Sequence, residues 1–229
     1  MLYSPDAMYI TSKVKLIYNQ DGKIVLRIGN LSRVAPTTGF AYKFLDDIAD
    51  TVVYQNNAIS VTQILLSTDL FTKINPYQRD FFFEHGRLTK ELADNESYGT
   101  ETDPVKDTIL FYYNKAEQID STKRYGLYFQ ENKNFFYNEN GNLEKVIGKT
   151  FWKDNKEVKY NDTILFSDYD NTPNLTGNLI LFDECFYRSL SKNNFKKYIY
   201  KRYDAYKQLL QDDERTWQFS YDAENYPEY

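Results

Sequence analysis

Strict period-two alternation broken by tight-turn signatures constrains this chain more than any other feature of it. Between residues 8 and 28, Ile10, Val14, Leu16 and Tyr18 fall on one side of an extended chain and Thr11, Lys13 and Lys15 on the other. Asp21-Gly22 then leads into Ile24, Leu26 and Ile28. Alternation on both sides of an Asp-Gly is the pattern of a β-hairpin with one buried face. The recipe recurs: Asn19-Gln20-Asp21-Gly22-Lys23-Ile24 and Asn138-Glu139-Asn140-Gly141-Asn142-Leu143 match in offsets, and each precedes an Ile-Gly pair (Ile28-Gly29, Ile147-Gly148). Shared turn chemistry accounts for this echo without a duplicated unit.

Close-set strand candidates fill the second half, at 108–113, 125–130, 135–137, 143–153, 157–160, 163–166 and 178–182, with turns at Asn140-Gly141 and Asp154-Asn155. Short strands at this spacing suggest an antiparallel meander, sandwich or barrel. Residues 59–66 read as a buried strand. Three segments carry helical spacing instead: Phe40, Phe44, Ile48 and Val52; residues 76–93 behind Asn75-Pro76; and residues 193–211, where Phe195, Ile199, Tyr206, Leu209 and Leu210 form a stripe. The expected fold class is therefore α+β but β-rich, with antiparallel sheets, sandwich or barrel-like, and two or three helices including a C-terminal one. The polar run 94–107 marks a boundary between an N-terminal lobe, 1–95, of hairpin plus helices and a β lobe, 108–229, with the C-terminal helix and an aromatic tail. One single domain over 1–229 is the alternative.

Composition narrows the function classes. The chain holds 22 Tyr and 16 Phe, 17% aromatic residues in all, beside an excess of Asn, Asp and Lys. Tyr and Phe suit strands and contact surfaces, and coding bias in an AT-rich genome enriches the same residues. A net charge of -5 opposes general nucleic-acid binding, which needs a positive field. No apolar run approaches the ~20 residues of a membrane helix, and the N-terminus has no secretory pattern, so the chain reads as soluble and cytoplasmic in synthesis. A lone cysteine, Cys185, makes no intramolecular disulfide and reads as a small buried hydrophobe.

Chemistry-bearing motifs are sparse. His85 is the sole histidine, which excludes a histidine cluster for zinc, and no glycine-rich phosphate loop is present. Ile164-Leu165-Phe166-Ser167-Asp168-Tyr169-Asp170-Asn171-Thr172 resembles the first motif of haloacid-dehalogenase-like phosphatases. That resemblance implies Asp168 as nucleophile and Asp170 as acid/base beside Mg²⁺. Too little chain follows Thr172 for the rest of that fold, and a turn whose Asp and Asn cap backbone groups is the alternative. Lys196, Lys197, Lys201 and Arg202, interleaved with tyrosines, are candidates for nucleic-acid contact, against a solvated helix face. The tail offers Trp217, Phe219, Tyr221, Tyr226 and Tyr229 as interface candidates, docked on the chain's own body or on a neighbouring subunit.

The Asn-, Lys- and Tyr-rich texture as a whole resembles virion proteins of AT-rich tailed phages, such as the ring, adaptor and tail subunits of crAss-like phages. The resemblance implies a non-enzymatic structural protein of the virion, a homo-oligomeric ring near the neck or tail whose partners are protein subunits, with no cofactor, no metal and no membrane contact. A small monomeric protein-binding module of the inhibitor or immunity type is the alternative, and a Mg²⁺-dependent phosphatase at Asp168 and Asp170 the third.

Overall fold

The computed structural model describes residues 14–34, 41–66, 77–94, 105–223 and 227–228. These are nearly all antiparallel strand, and within each of the chain's two units consecutive long strands are paired. The chain divides into two compact units, Met1–Lys106 and Asp107–Tyr229.

The first unit is a meander of β1 (Lys15–Tyr18), β2 (Ile24–Val34), β3 (Ala41–Gln55), β4 (Ala58–Leu65), β5 (Gln78–Glu84) and β6 (Arg87–Asp94). Register decides which residues share its packed face. Val52 lies opposite Val61, Val61 opposite Arg79, and Arg79 opposite Ala93, while Ile59, Phe81 and Glu91 form the adjoining row. Val61, Phe81 and Ala93 are all nearly inaccessible. Arg27 and Asp50 face each other on the same side, closed by a 2.9 Å ion pair that offsets their burial.

In the second unit the strands are β7 (Lys106–Tyr113), β8 (Ile119–Tyr125), β9 (Phe129–Tyr137), β10 (Leu143–Trp152), β11 (Val158–Pro173), β12 (Asn193–Asp204) and β13 (Leu209–Thr216). A 3-10 turn, Leu175–Leu179, and α1 (Asp183–Ser189) interrupt β11 and β12; a two-residue ladder, β14 (Ser220–Tyr221) with β15 (Pro227–Glu228), ends the chain. Four of the tight turns follow one recipe. The side-chain oxygen of Asn19, Asn114, Asn138 or Asp204 accepts the backbone N–H groups two and four residues on. The residue three along (Gly22, Glu117, Gly141, Lys207) is left-handed in each. This is a type I turn closed by a left-handed bulge, and Asx side chains favour it by substituting for a backbone acceptor. The sequence echo at Asn19 and Asn138 is this turn.

The expected helices are not formed. Within segment 76–93, residues 78–93 belong to the β5–β6 hairpin, turning at His85 and Gly86, both with positive φ, which is the mirror-image turn that matches strand twist. Segment 193–211 is the β12–β13 hairpin: Tyr198, Tyr200 and Arg202 alternate with Lys197, Ile199 and Lys201. Its apolar residues satisfied a 3.6-residue stripe by count, but aromatic and β-branched side chains fit a pleated surface better, and the Asp204 turn stops the run. Residues 41–55 form β3 rather than a helix for the same reason, carrying Ile48, Val52 and Val53. Residues 178–182 belong to the 3-10 turn and its exit, not to a strand. Residues 8–13, Pro36, Gly39, Asn75, Pro76, Tyr226 and Tyr229, and most of 94–107, lie outside the described residues.

Candidate functional site

Charge on the packed face of the second unit is organised by cross-strand register. Thr122, Lys133, Gly148, Asp162, Arg202 and Gln211 form one row across β8 to β13, and Arg124, Glu131, Thr150 and Tyr160 the next. Three ion pairs involve residues of these rows. Arg124 Nε donates to Asp107 Oδ2 at 2.7 Å, Lys133 meets Glu131 at 3.1 Å, and Arg202 grips Asp162 through Nε and Nη2 at 2.8 and 2.9 Å. The Tyr200 hydroxyl adds a 3.1 Å bond to Asp162. The hydrogen bonding it donates to Asp162 is the largest influence on Arg202, holding its guanidinium above the ordinary range. Gly148 makes room for this: a Cβ there would stand 3.2 Å from the Asp162 Cβ and 3.7 Å from the Lys133 Cγ.

Beyond the charged rows the face turns aromatic. Phe186 and Tyr187 of α1 cover it, with ring centroids 6.3 and 6.2 Å from Phe111 and Phe135 for the first and 5.4 Å from Phe166 for the second. Half-buried Cys185 sits on the same helix. The packed face is thus a core sealed at one end and a set of closed ion pairs at the other. Such pairs fix geometry; their acids are occupied as acceptors rather than poised as bases.

Asp168 and Asp170 lie on β11 itself, not in a turn, because the strand runs on to Pro173. Asp168 is exposed with φ 57°, and the irregularity turns Tyr169 inward to pair with Phe195. Asp170 accepts from the Asn194 N–H at 3.0 Å, Asn194 Nδ2 at 3.1 Å, Thr172 Oγ1 at 2.8 Å and the Tyr221 hydroxyl at 2.9 Å. Burial pushes its pKa up, but these donors outweigh it and hold the carboxyl below its ordinary value. The two carboxylates do not converge, and among the described residues no group of three or more His, Cys, Asp or Glu could hold a metal ion. His85 is exposed at its turn.

The aromatic tail packs on its own unit. Arg188, 2% exposed, donates from Nη1 to the Phe195 carbonyl and stacks with Phe195, Trp217 and Phe219 at 4.0, 4.7 and 5.2 Å from their ring centroids. Lys196 lies over the Tyr221 ring at 5.7 Å. The other basic candidates are neutralised in place: Lys197 pairs with Glu214, Lys201 with Asp212, and Arg202 with Asp162.

Solved structures share this fold at low sequence identity. The chain is similar to a porin-like protein from Bacteroides vulgatus, with a TM-score of 0.54 and 15% identity over 93% of this chain and 83% of that one. A porin-like protein from Bacteroides uniformis gives 0.50 and 11% over 93% and 79%. No protein family matches the sequence. Among curated proteins nothing matches either.

Sequence reasoning missed two features. The ion pairs escaped because Asp107–Arg124 and Asp162–Arg202 join residues 17 and 40 apart, visible only once strands are in register. The other is the solvated face of β8 to β11, where Lys123, Asn132, Lys149 and Asn161 stand in one cross-strand row. Alternation within 145–149 signalled it, since Lys145, Ile147 and Lys149 alternate with buried Val146 and Gly148.

Proposed function

We propose that this chain is a non-enzymatic protein that works in water by surface contact, using a porin-like meander as its scaffold. The observation that carries the reading is the solvated face of the second unit. Mid-strand positions there hold Lys123, Lys149, Lys201, Asp212 and Glu214, with Asn132 and Asn161 between them. On a strand crossing a bilayer, Lys at the lipid-facing midplane costs roughly 2–4 kcal/mol, and an outward band of apolar residues flanked by aromatic girdles is required. No helix among the described residues is long and apolar enough to cross a membrane, so only strands could do so, and these strands present charge where lipid would be. The absence of enzymatic chemistry is supported by acids already engaged: Asp107, Asp162 and Asp170 each hold the donors around them.

Fractionation tests this reading. The full chain, expressed without a leader and lysed without detergent, is expected in the soluble fraction as a monodisperse species, and added phospholipid vesicles should float without it. A chain that is recovered only with detergent, or that inserts into vesicles and conducts ions, would overturn the reading in favour of a membrane-spanning role.

A further inference from the structure

Large apolar side chains are exposed unevenly over the second unit, and this unevenness supports a contact surface that rests on the chain working in water. In a sequential antiparallel meander alternate turns fall at the same end, so β8–β9, β10–β11 and β12–β13 turn together. The first of these turns carries Tyr125, Leu127 and Tyr128. The second opens at Trp152, and the third carries Tyr206 and leads into Leu209 and Leu210. Tyr206 is 92% exposed and the others between 38 and 49%. At the opposite end the tight turns, 114–118 and 138–142, are polar, and among the described residues only Tyr112 and Phe136 near them are large, apolar and exposed. The apolar turns are also joined to one another. Lys153 donates its N–H to the Tyr128 carbonyl at 2.9 Å, and Asn161 Nδ2 reaches the Asp204 carbonyl at 3.5 Å. The Lys159 ammonium lies 3.9 Å from the Trp152 ring centroid and holds that ring in place.

We propose that this end of the second unit is the contact surface of a homodimer, in which a second copy of the chain meets it about a two-fold axis. Area is the first argument. An aromatic side chain can present roughly 150–250 Å² and leucine somewhat less, so at these exposures the patch offers about 600 Å². That is the top of the ~300–600 Å² range for the largest apolar patch on a monomer. Two copies would remove about 1,200 Å² from water, where specific interfaces begin, and the polar rim of the turns adds to it. Charge is the second argument, because a two-fold contact needs a patch complementary to itself. Lys153, Lys156 and Lys159 alternate with Asp154 and Glu157 along one turn, and Lys207 shares another with Asp204. Signs so nearly balanced can pair with their own image, whereas acids on the same turns oppose approach to an anionic lipid surface. Tyrosine and tryptophan at the centre with charge at the rim is the arrangement of an interface whose few anchors carry most of the affinity.

Sedimentation velocity of the full chain in detergent-free buffer, over a series from low to high micromolar concentration, tests the proposal. A reversible dimer is expected at the upper end of the series. Tyr206→Asp/Leu210→Lys alters two exposed positions of the patch and should raise the dissociation constant about thirtyfold or more, the loss of one strong anchor. Tyr112→Asp, at the polar end, should leave the dimer unchanged. Far-UV circular dichroism and the thermal midpoint confirm that each variant is folded. A chain that stays monomeric throughout the series, a dimer that survives the double variant, or one that Tyr112→Asp dissolves equally would overturn the proposal. So would a monomer that co-sediments with phosphatidylserine vesicles through Tyr206 and Leu210, which would make the patch a lipid contact. A chain recovered only with detergent fails the water-facing reading itself, whereas a soluble monomer fails this inference alone.

Discussion

The hydroxyl of Tyr221 donates a 2.9 Å hydrogen bond to Oδ2 of Asp170, 51 residues earlier in the chain. Through it β14 is tied to the junction of β11 and β12, where Asn194 and Thr172 hold the same carboxylate. What resembled a catalytic Asp-x-Asp is therefore a fastening point. Asp170 is an acceptor for five donors, the N–H and hydroxyl of Thr172, the N–H and side-chain amide of Asn194 and the Tyr221 hydroxyl, and the tail supplies the last of them.

Acid should loosen this contact. The Asp170 pKa lies below its ordinary value in the folded protein, so its contribution to stability is fully present above the unfolded carboxylate value, about 3.9. It is lost as pH falls below that and through the depressed folded value. In a Trp152→Phe background Trp217 is the only tryptophan, and its emission should shift to the red between pH 4 and the acid limit, roughly pH 2, ahead of global unfolding. Asp170→Asn should show part of that shift already at neutral pH. Identical emission from the two proteins across this range would show that the carboxylate does not anchor the tail.

The Arg202–Asp162 pair predicts asymmetric costs. Asp162 is 4% exposed and loses both guanidinium bonds in Arg202→Leu, leaving a buried carboxylate with only Tyr200. Removing one partner of a buried pair costs about 3–5 kcal/mol, and the lower figure applies because the Arg202 side chain is about a third exposed. Asp162→Leu/Arg202→Leu should recover part of that loss, since it leaves no unpaired charge. Urea unfolding of the four proteins measures the coupling, and strictly additive effects would mean the pair contributes nothing.

The shared turn makes opposite predictions at two of its positions. Asn138→Ala removes an acceptor for two backbone N–H groups and should cost about 1 kcal/mol. Lys207, with φ 66°, and Glu117, with φ 64°, occupy the left-handed position that Gly22 and Gly141 fill elsewhere. Lys207→Gly and Glu117→Gly should each stabilise by about 0.5 kcal/mol, the left-handed strain relieved less the extra chain entropy of glycine. Thermal midpoints of the three variants decide the signs.

Legibility from sequence followed the range of the interactions. The Asn19 and Asn138 turns were visible because their hydrogen bonds span two to four residues, and β10 was visible because Asn140-Gly141 and Asp154-Asn155 bracket it. Residues 193–211 were misread because Phe195, Ile199 and Tyr206 also satisfy helical spacing, and only the partners of β12 on both sides reveal which period holds. The role of Asp170 was hidden similarly: Asn194 and Tyr221 reach it from 24 and 51 residues away, and local sequence shows only an acidic pair.

Two glycines separate packing from chain entropy as causes of stability. At Gly148 an added methyl would sit 3.2 Å from the Asp162 Cβ, tighter than ordinary van der Waals contact, so β11 or the Asp162 side chain must shift. Any shift there degrades the two-bond geometry with Arg202, and Gly148→Ala should destabilise by about 1–3 kcal/mol, the usual cost of overpacking. At Gly177, in the 3-10 turn, a methyl meets nothing within 4 Å, and φ is not in the left-handed range. Gly177→Ala reduces the entropy of the unfolded chain at no steric cost and should stabilise by about 0.4–1 kcal/mol. Opposite displacements of the urea midpoint, with the slope of unfolding unchanged, are the expected result. A neutral Gly148→Ala would mean that the charged rows of β9 to β12 yield easily, and that the ion pairs do not depend on the close approach of β10 and β11.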